Sequence, residues 1–412
     1  MVHHTMTTSS TRASKASSKI RPMRRLQWLL GSGAIVGTLC VLAGCASGPS
    51  PQPQPSPAVR PVPSQPLPAQ ADDAPLPPAM VQARSRWVPV RWAELPGFGD
   101  DAIHEAWNAL LRNCERPPAA FAPLCPEVRQ LAIGEGDEQR AWLVQRLQPY
   151  RVEPLDAPTD GLLTSYYEPV YEARRAPESG FGVPLYRTPV GFAARRPWYT
   201  RQQIDTLPEA QAALRGREIA WMADPIDAMM LHIQGSGRLR VREADGRERV
   251  VRVAFAGTNE QPYRSITAWL QQQGVARVSP WPDATKEWAA QNPSRVNQLL
   301  WSNPRYVFFQ EETLTPLDAA FGPRGAQGVA LTPGRSIAVD PQSIPYGTPV
   351  WLASSGPAAN LQRLVVAQDT GSAIVGAVRA DYFAGTGDEA GFFAARIKQP
   401  LRLWALWPRS MR

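Results

Sequence analysis

The spacing of apolar positions changes several times along the 412 residues. Leu26–Ala43 is almost continuously apolar and follows a basic cluster at Arg21–Arg25. Residues 49–80 then show no periodicity and hold 12 prolines, a composition that favours extended polyproline II over a packed core. Helical spacing begins after that. Asp101–Arg112 and Glu138–Leu147 place Trp107, Leu110, Leu111, Trp142 and Leu143 on apolar faces, which reads as core. Residues 170–305 mix short strands with helices. Pro262 opens a helical pattern through Ile266, Trp269 and Leu270, and Pro293 separates two short helices at Lys286–Asn292 and Ser294–Trp301. His232 reads as a packed strand residue. Beyond 305 short apolar runs replace helical spacing. Ser336–Val339, Thr348–Leu352, Leu364–Ala367, Ala373–Val378 and Leu401–Leu406 predict short strands between Gly and Pro turns, the spacing of a small barrel.

Charge changes the picture less than its total suggests. The formal net charge is +8, but residues 1–44 contribute six basic and no acidic groups, which leaves +2 for the rest. A near-balanced chain lacks the electrostatic footprint of a nucleic-acid binder. Basic cluster, apolar run and the closing Leu42-Ala43-Gly44-Cys45 have the layout of a secretory signal, and small residues before a Cys resemble the bacterial lipobox. Cys45 is therefore the expected lipidation site, since several acyl chains give a stable membrane anchor. Ala46, where Asp would favour retention at the inner membrane, directs the expectation to an outer-membrane anchor facing the periplasm. Residues 45–80 then form a tether. In an exported chain the remaining Cys114 and Cys125 are expected to pair as a disulfide. With only His104 and His232 left, no zinc site is expected, nor any other metal or cofactor.

The chemistry must run on carboxylates. There is no G-x-S-x-G elbow, P-loop or H-E-x-x-H. Asp340 follows one predicted strand, and Asp369 and Asp381 flank another within the Gly-rich stretch 365–391. Aspartates at the ends of several strands of one small barrel converge on one rim, where like charges raise each other's pKa and let one act as a general acid. Asp-x-Gly is also ordinary turn chemistry.

These residues resemble the membrane-bound lytic murein transglycosylase A family, whose C-terminal "3D" module is named for three aspartates. They fall here on Asp340, Asp369 and Asp381. In order before them come LLTSYYEPVYEAR (162–174), MLHIQGSGRLR (230–240), PYRSI (262–266) and NPRYVFF (303–309). The sequence departs from the family pattern at Ser165, Ser372 and Val375, where Gly, Gly and Lys are common. The resemblance implies a mainly β fold with some α: a double-psi β-barrel with an inserted, mostly β domain and a cleft between them. It divides the chain into a signal peptide (1–44), the anchored tether (45–80), an N-terminal barrel part (81–169), the inserted glycan-binding domain (170–305) and the 3D-type segment (306–412).

The implied activity is that of a peptidoglycan lytic exotransglycosylase, a carbon–oxygen lyase. It cleaves the β-1,4 bond between N-acetylmuramic acid and N-acetylglucosamine and leaves a 1,6-anhydromuramyl end. Asp381 carries the acid/base role, supported by Asp369 and Asp340. Tyr166 and Tyr167 either offer sugar-stacking faces and hydroxyls or form a core pair at the barrel entry, and Glu168 is expected on sugar hydroxyls or in an ion pair with Arg174 or Arg175. Gln234-Gly235-Ser236-Gly237 is either a donor turn for N-acetyl groups or a plain hairpin turn. Tyr263, Arg264 and Ser265 begin a helix, with Arg264 placed for a peptide or lactyl carboxylate. Two other readings stand beside this one, a carboxylate-pair murein hydrolase and a non-catalytic peptidoglycan-binding lipoprotein. Partner proteins in the cell-wall machinery leave no trace in the sequence.

Overall fold

The computed structural model describes residues 75–156, 161–275 and 283–409. The expected leader, Cys45 and the tether up to residue 74 lie outside them. Strands β1 (Met80–Val81), β2 (Ser85–Pro89), β3 (Leu147–Pro154) and β4 (Gly161–Glu168) open the first sheet. The chain then leaves it. β5 (Val170–Arg174), β6 (Val183–Tyr186), β7 (Glu218–Met222), β8 (Gly237–Arg242), β9 (Glu248–Thr258) and β10 (Val307–Thr313) form a second sheet in the order β10-β9-β8-β5-β7-β6. β11 (Ser336–Val339), β12 (Pro349–Ser355), β13 (Asn360–Asp369), β14 (Arg379–Thr386) and β15 (Lys398–Pro408) return to the first sheet.

That sheet closes on itself. Its order runs β15-β12-β13-β11-β14-β4, and the first residues of β15 pair with β4 to complete a six-stranded ring. Two pairs in the ring are parallel, β11–β13 and β14–β4. The architecture is the expected barrel with an inserted, mainly β body. The inserted sheet ends at Thr313, one strand beyond the expected boundary at 305, because Val307, Phe308 and Phe309 are buried and β10 pairs with β9 along its whole length.

Alternation in the barrel strands decides where each side chain goes. Val350, Leu352, Val365 and Ala367 join one core, while Trp351, Ala353, Leu364 and Val366 join another. Both faces are covered, so the strands read as near-continuous apolar runs. The second core is capped by the helix Ile103–Asn113, whose Ile103, Ala106, Trp107 and Leu110 follow helical spacing. Cys114 at its end is disulfide-bonded to Cys125. Its start is tied to the barrel by Asp101, which accepts from both terminal nitrogens of Arg335 (2.8 and 2.9 Å) and from the Leu364 amide.

In the insert, the helix Pro225–Gln234 has two working faces. Ala228 and Leu231 lie on the sheet, and Ile226, Met229 and Met230 lie against the helices at 266–272, 283–291 and 296–302. His232 is on this helix, not on a strand; the apolar run 228–233 fits either element by composition, and its length with the Asp224 cap decides for helix. The expected strand at 373–378 is irregular backbone. Gly371 and Gly376 break the pairing there, and the strand begins at Arg379.

Arg335 is 2% exposed, so removing its main partner strands a buried charge. Asp101→Ala is expected to lower the unfolding free energy by about 3–5 kcal/mol in urea denaturation. Fully exposed Asp245 carries no such burden, and its alanine variant is expected to unfold like wild type.

Candidate active site

The barrel register builds a transverse row of side chains. Ala338 on β11 pairs with Asp369 on one side and Asp381 on the other, and Asp381 pairs with Thr164 on β4. Directly paired residues point to the same face, so Asp369, Ala338, Asp381 and Thr164 line up across four strands roughly 4.8 Å apart. A register shift between Ile337 and Ala338 brings Ala338 opposite Asp369. With only a methyl group between them, the two carboxylates flank open space. A cavity of about 270 Å³ lies over the row.

The two carboxylates are held differently. Tyr166, two residues from Thr164 and so on the same face, donates to Asp369 Oδ2 at 2.8 Å, and the Ala326 amide donates to Oδ1 at 2.9 Å. Both oxygens of Asp369 are therefore occupied. Asp381 accepts at Oδ1 from the Thr164 hydroxyl at 2.5 Å, and Thr164 in turn accepts from Arg379 at 2.8 Å. Asp381 Oδ2 has no partner among the described residues. Burial pushes the Asp381 carboxyl above the usual range, against the Thr164 hydrogen bond and the Arg379 charge. Burial pushes Asp369 up to about 6, with a further rise from the charge of Asp381, against hydrogen bonds from Tyr166, Thr370 and Ala326. Tyr166 is raised well above its ordinary value, first by burial, so it stays a donor.

The insert supplies the opposite wall. Gln234 and Gly235 end the 225–234 helix there, Gly235 capping it with φ +80°, and Phe255, Tyr263, Asn303 and Arg305 come from the strands and loops beside it. His232 also lines the cavity. Its Nδ1 faces Arg201 Nη2 at 2.8 Å. A guanidinium only donates, so Nδ1 accepts and the proton sits on Nε2, which is buried without a partner. Burial and the Arg201 charge hold its pKa well below the ordinary value, so the ring is neutral.

Several expected site residues are elsewhere. Asp340 does not line the cavity; it takes Arg84 at 3.0 Å and the amides of Gln342 and Gly376, which pins the loop before β14. Alternation turns Tyr167 away from Tyr166 and packs its ring against Gly391. Glu168 is fully buried and touches no open space. It pairs with Arg238 (2.8 Å) and Arg252 (2.5 Å), not with Arg174 or Arg175, and accepts from Thr386 at 2.8 Å. Ser236 is buried, and Gly237 packs so tightly that a Cβ there would meet Leu231 at 2.4 Å. The Gln234–Gly237 turn joins a helix to a strand, not two strands of a hairpin. Ser265 caps the helix Ile266–Gln272 by accepting from the Ala268 amide, and Arg264 is exposed outside the cavity.

Thr164, Arg379, Phe255, Asn303 and Arg305 belong to the cavity and its hydrogen bonds and were not among the expected site residues. Thr164 and Arg379 were legible from period two, since each sits two places from a residue already singled out. Asn303 and Arg305 lie in a quoted motif. Among the described residues no cluster of His, Cys, Asp or Glu fits a metal ion.

The raised pKa of Asp369 sets a stability prediction. Its folded value of about 6 lies above the ordinary 3.8, so the stability it contributes is complete below about 3.8 and lost as pH rises through about 6. Asp369→Asn is expected to stabilise the fold at pH 8 by up to about 3 kcal/mol, with the gain gone at pH 3.5, in urea titrations at the two pH values.

Comparison with known proteins places this geometry. Residues 162–310 match the MltA specific insert domain and residues 335–407 match the 3D domain. The chain is 31% identical over 298 residues to membrane-bound lytic murein transglycosylase A of Vibrio cholerae, covering 69% of this chain and 76% of that protein. Among solved structures it resembles the lytic transglycosylase LtgG of Burkholderia pseudomallei, at 42% identity and TM-score 0.57, over 82% of this chain and 98% of that one. It also resembles MltA of Neisseria gonorrhoeae, at 27% identity and TM-score 0.68, over 82% and 97%. A β-barrel bearing the carboxylate row and an insert facing it, matched on both parts, make this chain a member of the membrane-bound lytic murein transglycosylase A family.

Proposed function

We propose that the chain is a lytic transglycosylase. It cleaves the β-1,4 bond between N-acetylmuramic acid and N-acetylglucosamine in peptidoglycan and leaves a 1,6-anhydromuramyl end. The observation that carries this is the free Oδ2 of Asp381 in the cavity, beside an Asp369 whose two oxygens are both taken. A proton that must move twice belongs on the oxygen with no other partner.

Asp381 first donates that proton to the glycosidic oxygen. The resulting carboxylate then takes the proton of the muramoyl 6-hydroxyl, whose oxygen closes on the anomeric carbon. One carboxylate suffices because the nucleophile is part of the substrate. Asp369, ionised near neutral pH, faces the positive charge that develops on the sugar ring. A glycan strand filling the cavity excludes water and pushes Asp381 further up, which favours its acid form when it is needed. Thr164 keeps Oδ1 engaged and so leaves the proton on Oδ2.

The proximity of Asp369 also favours a second reading, a carboxylate-pair hydrolase. Products separate the two: mass spectrometry of digested sacculi is expected to show anhydro ends, and reducing ends would show hydrolysis. Asp381→Asn is expected to lose at least about 10²–10⁴-fold in rate. Thr164→Val removes a hydrogen bond to the ionised form, so the alkaline limb of the pH–rate profile is expected to move to higher pH, with Thr164→Ser staying near wild type.

The basic cluster at Arg21–Arg25, the apolar run Leu26–Ala43 and Cys45 support export and lipidation at an outer membrane facing the periplasm. Acyl labelling that persists in Cys45→Ala would remove that assignment.

A further inference from the structure

The two walls of the cavity have opposite chemistry. The barrel wall carries the carboxylates. The insert wall presents donors. His232 backs this wall, its Nε2–H buried without a partner. Gln234 accepts from the Tyr167 amide through Oε1, which leaves its NH₂ free. Asn303 accepts from the amides of Arg264 and Arg305 through Oδ1, which leaves its NH₂ free as well. Arg305 adds a guanidinium.

Arg305 stands apart from the other arginines. Those that are buried or half-buried each engage a partner, as Arg175, Arg201, Arg238, Arg252, Arg335 and Arg379 do. Half-buried in the cavity, Arg305 makes no side-chain hydrogen bond or ion pair among the described residues. Burial lowers its pKa, and no neighbouring carboxylate opposes that. A guanidinium held out of water without a partner is costly, and three donor groups lining one space with no acceptor among their free ends suit a ligand group that only accepts. A carboxylate is such a group, and Arg binds it in bidentate fashion.

We infer that the insert wall, centred on Arg305 with Gln234 and Asn303, binds a carboxylate carried by the muramoyl residue while the barrel wall acts on its glycosidic bond. This rests on the glycan reading above and adds a specificity site to it. The carboxylate has two sources, the free lactyl group of peptide-free glycan or an acid on the stem peptide. Either way the site separates murein from a neutral N-acetylglucosamine polymer, which has no carboxylate to offer.

The test uses the full chain in detergent, with Arg305→Ala and Arg305→Lys in both the active protein and the Asp381→Asn background. Binding of chitohexaose, peptide-free murein glycan and stem-bearing glycan is measured by calorimetry, and KM and kcat are measured on the two mureins. Arg305→Ala is expected to weaken murein binding and raise KM at least tenfold, with chitohexaose affinity and kcat changed less than twofold and Arg305→Lys intermediate. Loss confined to peptide-free glycan identifies the lactyl carboxylate, and loss confined to stem-bearing glycan identifies a stem acid. Loss on both still assigns a carboxylate site. Equal weakening of chitohexaose and murein, or no change in any of them, overturns the inference. If wild type binds all three glycans but cuts none, the catalytic reading fails and the binding comparison still decides this one.

Discussion

The cleft exists because a carboxylate is buried where the two sheets meet. β4 belongs to the barrel and β5 to the insert, and only Pro169 lies between them. Glu168, the last residue of β4, is fully buried and joined to Arg238 on β8, Arg252 on β9 and Thr386 on β14. Its backbone carbonyl also accepts from the Gly387 amide. Both arginines donate onward to the Phe321 carbonyl, on the chain that returns from the insert to the barrel. Outgoing strand, insert sheet and return path thus meet at one charge. Removing Glu168 strands two arginines at the junction, and losing either arginine leaves the buried carboxylate underpaired, so the two bodies are held at a set angle. Without that constraint, acid wall and donor wall would not face a common space.

Given a set angle, the barrel register does the rest. Paired strands place Asp369, Ala338, Asp381 and Thr164 in a row, and Ala338 is what keeps the row open. A larger side chain there would lie between the carboxylates and fill the space over the row. Hydroxyls then distinguish two chemically identical acids. Tyr166 and Ala326 occupy both oxygens of Asp369, and Thr164 occupies one of Asp381. In the proposed mechanism the environment, not the residue type, assigns one carboxylate to charge and the other to proton transfer.

The barrel was legible in the sequence because its strands are short, apolar and separated by Gly and Pro turns. Four of the five predicted C-terminal strands fall on observed ones. At 373–378 Ala-Ile-Val has strand composition, but the flanking glycines make it a cavity loop. Asp369 and Asp381 were legible as a converging pair, since both lie near strand ends. Asp340 looked equivalent in sequence, but no local pattern shows that Arg84, 256 residues away, would claim it. Glu168 failed for the same reason: the nearby Arg174 and Arg175 were natural partners by sequence distance, while the actual ones are 70 and 84 residues on. Local patterns reveal elements and faces, whereas partners across sheets depend on topology.

The cavity collects groups that a stability-optimised fold would avoid. It has a half-buried guanidinium without a partner, an imidazole N–H without an acceptor and a carboxyl raised by burial. Buried charges elsewhere are paired: Arg335 engages partners at both terminal nitrogens and Arg175 is shared by two glutamates. A cation without a partner on one wall and carboxylates on the facing wall are complementary across one space, which is better explained by a ligand than by loose packing. The donors and the acids are on different sheets, so neither sheet alone forms the site. That division explains why the insert is a folded body with its own cores and not a loop: a wall of oriented donors needs rigid support, and the helix ending at Gln234 and the strands beside it provide that support.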